Sequence, residues 1–294
     1  MPRLLQRVLL NAAGVLLALF ILGPLVWMVD ASFQSESELS ARPIHLVPQL
    51  PSLDNYLYVF TGALPHSLLG NGVLTPNISQ EAREILPALK NSTIVAAATA
   101  AVDLVVGTIA AYTFTRLRFR FRTALFNLVL ASRLLPAVAI AIPYYVLVNN
   151  LGLLNTYLGL ILVYLTFSLP FTIWFLSTYF RYVPQEMEDA ARTDGCTRLG
   201  ALVRILIPVA APGIAAAAAF AFMLSYSEFL FALFLTQTIQ SQTMPVIIAS
   251  VAVNPNASLS LISVSVSLAM VVPIAFALIF RRYLVRGMLS GALT

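Results

Sequence analysis

The chain has 294 residues, of which 60% are hydrophobic and 10% charged. Soluble proteins carry about 25% charge, so this composition excludes a soluble globular enzyme, a disordered chain and a nucleic-acid-binding domain of the usual kind. It leaves a polytopic membrane protein. A single cysteine excludes a disulfide framework and a thiolate metal cluster, and the net charge of +5 rests on 16 arginines and one lysine.

A helix needs about 20 apolar residues to cross a hydrocarbon core roughly 30 Å thick. In chain order, six stretches reach that length: 8–29, 89–114, 124–148, 157–180, 202–235 and 261–280. The runs are continuous and not alternating, which predicts helices and not a barrel. The first stretch has the basic start of a signal peptide, but it is too long and lacks a small-x-small site before Asp30, so it reads as a retained span. The cationic residues set the orientation. With a cytoplasmic N-terminus, 13 of the 17 fall on the inner side, among them the ladder Arg116, Arg118, Arg120 and Arg122; Arg42, Arg83 and Lys90 fall outside, and Arg133 lies within a span. That bias places both termini in the cytoplasm of a multi-pass protein. The expected fold is an all-α membrane domain of six transmembrane helices covering residues 1–294.

The first external loop, 30–88, is the only long polar stretch, and its prolines and the Asn71-Gly72 pair predict turns and short helices. His45 and His66 in this loop are too isolated to predict a metal site. The third external loop, about 236–260, is polar and reads as mobile, with Gln237, Gln240, Gln242, Asn254, Pro255 and Asn256 around the apolar run Met244 to Val253. No glycine-rich phosphate loop occurs, so an energy source must come from a partner or an ion gradient.

The fourth span is followed by Pro184 and Gln185-Glu186-Met187-Glu188-Asp189-Ala190-Ala191-Arg192-Thr193-Asp194-Gly195-Cys196. Pro184 suits a first helical turn, and the acids at 186, 188 and 189 favour the positive end of the helix dipole. Gly195 suits the left-handed residue that ends a helix. Ala190 and Ala191 leave a shallow surface on which another backbone can lie, with Asp189 and Arg192 at its edges.

This segment, 184–200, resembles the EAA motif of permease subunits of bacterial binding-protein-dependent ABC importers. The family pattern is Glu-Ala-Ala, three residues, Gly, nine residues, Ile-x-Leu-Pro. Here Asp189 replaces the glutamate, Ala190, Ala191, Asp194 and Gly195 match, and Ile205, Ile207 and Pro208 carry the tail with isoleucine for leucine. Ser225-Tyr226-Ser227-Glu228-Phe229 is similar to the Ser-Trp-Asn-Glu-Phe region of carbohydrate-type permeases. Arg281-Arg282-Tyr283 with Gly287 and Gly291 is similar to their C-terminal region, and Arg133-Leu134-Leu135-Pro136 with Ile142-Pro143-Tyr144-Tyr145 to their third span. Together these resemble the maltose-permease G-type subfamily.

The resemblance implies a type I importer subunit that performs no chemistry itself. It implies a coupling helix, with Glu188, Asp189, Ala190, Ala191, Asp194 and Gly195, seated in a cytoplasmic ATPase dimer that binds ATP and Mg. It further implies a homologous second permease subunit, an extracytoplasmic solute-binding protein docked on the external loops, and a sugar-like solute. By analogy, the third external loop reaches into the binding protein and the C-terminal tail from Gly287 toward the ATPases. The chain itself would hold no cofactor, metal or nucleic acid, and its surroundings would be the lipid of a bacterial inner membrane.

Rings cover sugar faces and hydroxyls pair with sugar hydroxyls. Ser225, Tyr226, Ser227, Glu228, Tyr144, Tyr145 and Asn149 are therefore candidates for a solute path, with Tyr226 preferred over Tyr144 and Tyr145. Asp103, Arg133 and Glu228 lie inside predicted spans, where a charge costs about 2.5–3.5 kcal/mol and needs protein or water around it. For Asp103, an ion pair between spans or an interfacial position is expected before a transport role. Related solutes such as a glycerol phosphate or a polyol stay open. So does an ion-coupled secondary transporter using Glu228 or Asp103, although six spans without a repeat are a thin scaffold for one. An intramembrane enzyme would need a nucleophile, metal or paired-acid set in the spans, and none is evident.

Overall fold

The computed structural model describes the backbone of residues 2–43, 45–62, 76–254 and 258–292, and the side chains of residues 5–43, 45–62, 82–254 and 258–283. His66, the Asn71-Gly72 turn, Pro255, Asn256 and the last two residues of the tail lie outside the described residues. Among the described residues, every regular element is helical. Among the described residues, four helices are long and apolar enough to cross a membrane: Leu5–Ala31, Ala82–Arg116, Tyr157–Arg181 and Leu259–Tyr283. Two bent pairs, Arg122–Leu134 with Ala137–Asn150 and Arg198–Val209 with Ala211–Tyr226, bring the number to six if each pair is one span.

The chain divides into two compact units, Met1–Leu89 with Ile247–Val271, and Lys90–Val246 with Val272–Thr294. The first unit opens with α1 (Pro2–Ala31). Its side chains from Leu5 to Val26 are exposed, and the helix is apolar on all sides. Such a surface is stable only against lipid or another chain. The polar stretch that follows holds two short helices, α2 (Glu36–Leu39) and α3 (Asp54–Thr61). Asn55 of α3 is buried, and its amide donates to the carbonyls of Ser32 (3.1 Å) and Gln34 (2.9 Å) at the exit of α1. Glu36 accepts from the Ser258 hydroxyl (2.7 Å) and the Ser260 backbone N–H (3.2 Å), which caps the start of the last helix.

The second unit is built around α4 (Pro76–Arg116) and α7 (Tyr157–Arg181), which run side by side in the same direction. At one end the Tyr157 hydroxyl donates to Asn91 (2.6 Å); at the other, Arg116 donates to the Val183 carbonyl (2.7 Å). One apolar core gathers Val95, Leu160, Tyr164, Phe231 and Leu235, and a second gathers Ala111, Leu176, Phe180, Leu202 and Leu206.

Between α4 and α7 lie α5 (Arg122–Ala131), a 3-10 turn at Ser132–Leu134, and α6 (Ala137–Asn150). The predicted third span is therefore not straight; it bends by 97°. Pro136 lacks an N–H and pushes Leu135 into extended backbone (ψ 125°), which stops one helix and starts the next. After α7 come α8 (Gln185–Thr193), α9 (Arg198–Ala201), a π-helical turn at Leu202–Leu206, α10 (Ile207–Val209) and α11 (Ala211–Tyr226). The predicted fifth span, 202–235, is likewise broken. It bends by 82° around Ala210, where Pro208, Pro212 and the π turn interrupt the bonding ladder, and it opens again before α12 (Leu230–Leu235). Then follow α13 (Met244–Val253) and α14 (Leu259–Ala292). Phe276 of α14 stacks on Phe222 of α11 with ring centroids 4.2 Å apart.

Gly213 is where α11 meets α7. A Cβ added there would lie 2.4 Å from the Tyr179 ring. Overpacking a core costs about 1–3 kcal/mol and sometimes more, and a rigid ring backed by a helix cannot yield easily. Gly213→Val is expected to lower the melting temperature of the purified chain by several degrees or prevent accumulation in the membrane. A variant with the parent's melting temperature would show that the two helices are not so closely seated.

Candidate coupling segment and solute cavity

α8 is the predicted motif segment, and its limits follow from local chemistry. Pro184 stands at the N-cap with extended ψ, one residue before the first helical turn, and Glu186 and Glu188 lie in that turn. At the other end the backbone N–H of Cys196 donates to the Ala191 carbonyl (3.0 Å) and that of Gly195 to Arg192 (3.1 Å). Gly195 closes the helix with φ +91°, and no atom lies within 4 Å of a Cβ added there. Glycine is needed at this position for its backbone, not for space.

The segment has two faces. Met187, Ala190 and Asp194 are exposed, and Ala191 is half-buried beside them. Gln185, Glu188, Asp189 and Arg192 line the other side. Asp189 pairs with Arg192 at 3.7 Å, but both side chains are about half exposed (55% and 46%), so the pair contributes little.

Glu188, which the resemblance places in the coupling helix, is turned inward. Its carboxylate receives Nε of Arg116 at 2.5 Å, with the side chains 4% and 9% exposed. The same guanidinium donates to the Val183 carbonyl. Arg116 is thus not part of a solvated ladder; α4 ends on it, and it fastens both the start of α8 and the end of α7. Arg118 and Arg120 are exposed, and Arg122 is half-buried.

The solute-path candidates separate in space. Tyr226 is 6% exposed, with its ring stacked on Phe222 at 5.8 Å. Ser225 is buried beside it, and the exposed Ser227 donates back to the Met223 carbonyl (2.8 Å). Tyr145 is half-buried and Asn149 exposed. None of these five lines the cavity of about 460 Å³ at the bend between α5 and α6, which is walled by Arg133, Tyr144, Thr166, Phe167, Phe231 and Glu228. Glu228 is the path candidate that lines it, together with Tyr144, which the sequence alone places behind Tyr226. Thr166, Phe167 and Phe231 carry no signal in the sequence. Only their meeting across two helices marks them, and the Pro136 break is the one visible hint.

Inside this cavity Glu228 has a structural role. Its two carboxylate oxygens accept the backbone N–H groups of Phe231 (2.9 Å) and Ala232 (3.1 Å), capping α12 after the opening at Ser227–Phe229. Arg133 lies over the Phe171 ring at 5.4 Å and, among the described residues, has no carboxylate within ion-pair distance.

Asp103 on α4 is fully buried. Among the described residues, it forms no ion pair with a neighbouring span.

The third predicted external loop is tied down where it is described. Asn155, in the left-handed region at φ +62°, accepts from the N–H groups of Gln237 and Thr238 (both 3.0 Å) and the Ser241 hydroxyl (2.5 Å), and donates to Thr238 (2.7 Å). Asn91 donates to the carbonyls of Ile239 (3.0 Å) and Gln242 (2.9 Å). Residues 236–243 are therefore a braced turn and not the mobile segment their composition predicts, and the apolar run after them is α13. Each bond contributes about 1 kcal/mol net, so Asn155→Ala is expected to speed amide exchange across 236–243 by one to several orders of magnitude while α7 keeps its protection. Unchanged exchange in the loop would show that Asn155 does not brace it.

The sequence model of the binding-protein-dependent transport system inner membrane component matches residues 103–290, which is most of the chain and includes α8, the cavity and the braced loop. The chain belongs to this family. As a member of this family with several long apolar helices, it is a multi-pass membrane protein. The family member is 32% identical over 194 residues to the sulfoquinovosyl glycerol transport system permease protein SmoH of Agrobacterium fabrum, covering 66% of this chain and 61% of SmoH. It is 30% identical over 211 residues to the trehalose/maltose transport system permease protein MalG of Thermococcus litoralis, covering 71% of this chain and 68% of MalG. Its fold is similar to one chain in the crystal structure of a bacterial ABC transporter involved in the import of the acidic polysaccharide alginate. There the TM-score is 0.73 at 19% identity, over 95% of this chain and 96% of that one.

Proposed function

We propose that this chain is a permease subunit of an ATP-driven sugar importer in the bacterial inner membrane, with both termini cytoplasmic. The observation that carries the reading is α8. It is a short helix closed by a left-handed glycine, open on its Met187, Ala190 and Asp194 side, and fixed by Glu188 to the end of a long apolar helix. A lever of that kind passes motion from a cytoplasmic partner to the spans. The partners proposed are an ATPase dimer that binds ATP and Mg, a homologous second permease subunit, and a solute-binding protein that docks beside the braced turn 236–243. Sugar as the solute class rests on the relatives named for sulfoquinovosyl glycerol and for trehalose and maltose.

In this reading the open face of α8, with Ala190, Ala191, Asp194 and Gly195, meets the ATPase, and Asp189 lies at its edge. The cavity at Tyr144 and Glu228 belongs to the solute path, and Ser225, Tyr226, Ser227, Tyr145 and Asn149 shape the helices around it. One observation favours a second solute class, a glycerol phosphate or another acidic sugar derivative: Arg133 lines the cavity without a carboxylate partner among the described residues.

Gentle purification of the tagged chain from its host tests the proposal. An ATPase, a second permease and a binding protein should come with it, and screening that binding protein against neutral and acidic sugars names the solute class. A chain that purifies alone and moves solute in vesicles without ATP overturns it. In the reconstituted complex, Gly195→Asp is expected to leave insertion intact and to abolish ATP-driven uptake, because the left-handed turn that closes α8 is strained for any side chain.

A further inference from the structure

The side of α8 that does not carry the open alanine face borders a pocket of about 270 Å³, shared with the end of α4 and the start of α9. Its charged lining is four arginines, at 116, 118, 192 and 198, against two carboxylates, Glu188 and Asp189. Glu188 is used by Arg116 and Asp189 faces Arg192, so both acids are already answered. Arg118 and Arg198 have no acid within ion-pair distance among the described residues. Tyr112 closes the back of the pocket and donates its hydroxyl to the Arg198 carbonyl (3.4 Å). The excess of two positive charges, on the exposed Arg118 and Arg198, is thus gathered around a concave site bordered by three helices.

We propose that this pocket binds a phosphate group. The pocket has room for a phosphate-bearing headgroup, with a volume just below the range of about 300–1,000 Å³ typical of sites for drug-sized ligands. Guanidinium groups match phosphate oxygens in pairs of parallel hydrogen bonds. The pocket lies where a long apolar helix ends in arginines, the level at which basic side chains meet anionic headgroups. The bearer is therefore either an anionic phospholipid or a soluble phosphate ester, and the two share this chemistry. Met187 and Ala190 do not line the pocket.

The test uses the purified full chain in a neutral detergent, followed by native mass spectrometry and by thermal shift. One arm titrates phosphatidylglycerol against phosphatidylcholine; a second titrates glycerol 3-phosphate and inorganic phosphate. Saturable one-to-one binding of phosphatidylglycerol alone assigns the headgroup, and binding in the second arm assigns the soluble ester. In either case, Arg118→Gln with Arg198→Gln should weaken binding about 30-fold, from the usual contribution of each surface arginine. Asp189→Asn should strengthen it by removing a negative wall. Arg118→Gln alone, in the exposed loop after α4, gives the same readout with a smaller loss if the double variant folds poorly. Arg281→Gln with Arg282→Gln should change nothing. The proposal is overturned if neither arm binds, if the Arg118 variants bind as the parent does, or if the control pair loses as much. No ATPase or sugar enters the measurement, so its failure leaves the importer reading intact.

Discussion

Removing either half of the Arg116–Glu188 pair is expected to abolish ATP-driven uptake and to destabilise the chain. The two side chains are almost fully enclosed, so solvent screening does not reduce the effect. Breaking a buried pair by deleting one partner costs about 3–5 kcal/mol, because the survivor keeps its charge without compensation. Arg116→Ala has the larger consequence, since it also frees the Val183 carbonyl at the exit of α7. Glu188→Ala leaves a guanidinium that still holds Val183. Replacing both with Leu removes both charges and restores most of the stability, because an apolar pair of similar volume is often no worse than the ion pair. It does not restore the fixed geometry between α4 and α8. The measurements are the melting temperature of each purified variant and its transport rate in vesicles with the complete complex. Stability recovered in the double variant without transport is the expected pattern. A Glu188→Ala chain that transports at the parent's rate would remove the pair from the coupling path.

The spans are legible in the sequence because hydrophobic length is a local property. Five of the six predicted stretches fall on one long helix or one bent pair, the fifth runs over a bent pair and α12, and the motif after the fourth span reads directly as a short helix with a glycine stop. What is not legible depends on distance along the chain. Arg116 and Glu188 are 72 residues apart, and a regular arginine ladder in sequence hides that its first member still belongs to a helix. Asn91 reaches a carbonyl 151 residues away, so the order of the loop at 236–243 cannot be read from its glutamines. Pro136 and Pro208 mark breaks, but the angles of 97° and 82° are set by what the two halves pack against. Tyr226 and Tyr144 differ only in which way their helices turn, and that is decided by the cores and not by either side chain.

Glu228 sits where its two proposed roles make opposite predictions. If its carboxylate served a proton or bound solute by its charge, Glu228→Gln would be as damaging as Glu228→Ala. The geometry gives it a different role, in which each oxygen takes one backbone N–H at the start of α12. A buried donor left unpaired costs about 1–3 kcal/mol, so Glu228→Ala, which orphans two, is expected to fray α12 and shift Phe231 out of the cavity wall. Glutamine keeps one acceptor oxygen and the same length, and is expected to retain most stability and a large share of uptake. Aspartate keeps both oxygens but is one methylene shorter, so it falls between the two. The order Glu, Gln, Asp, Ala in melting temperature and in ATP-driven uptake supports the cap. Equal and complete loss of uptake in Gln and Ala, with the Gln variant as stable as the parent, would move Glu228 from scaffold to transport chemistry and make the cavity at Tyr144 and Arg133 its direct setting.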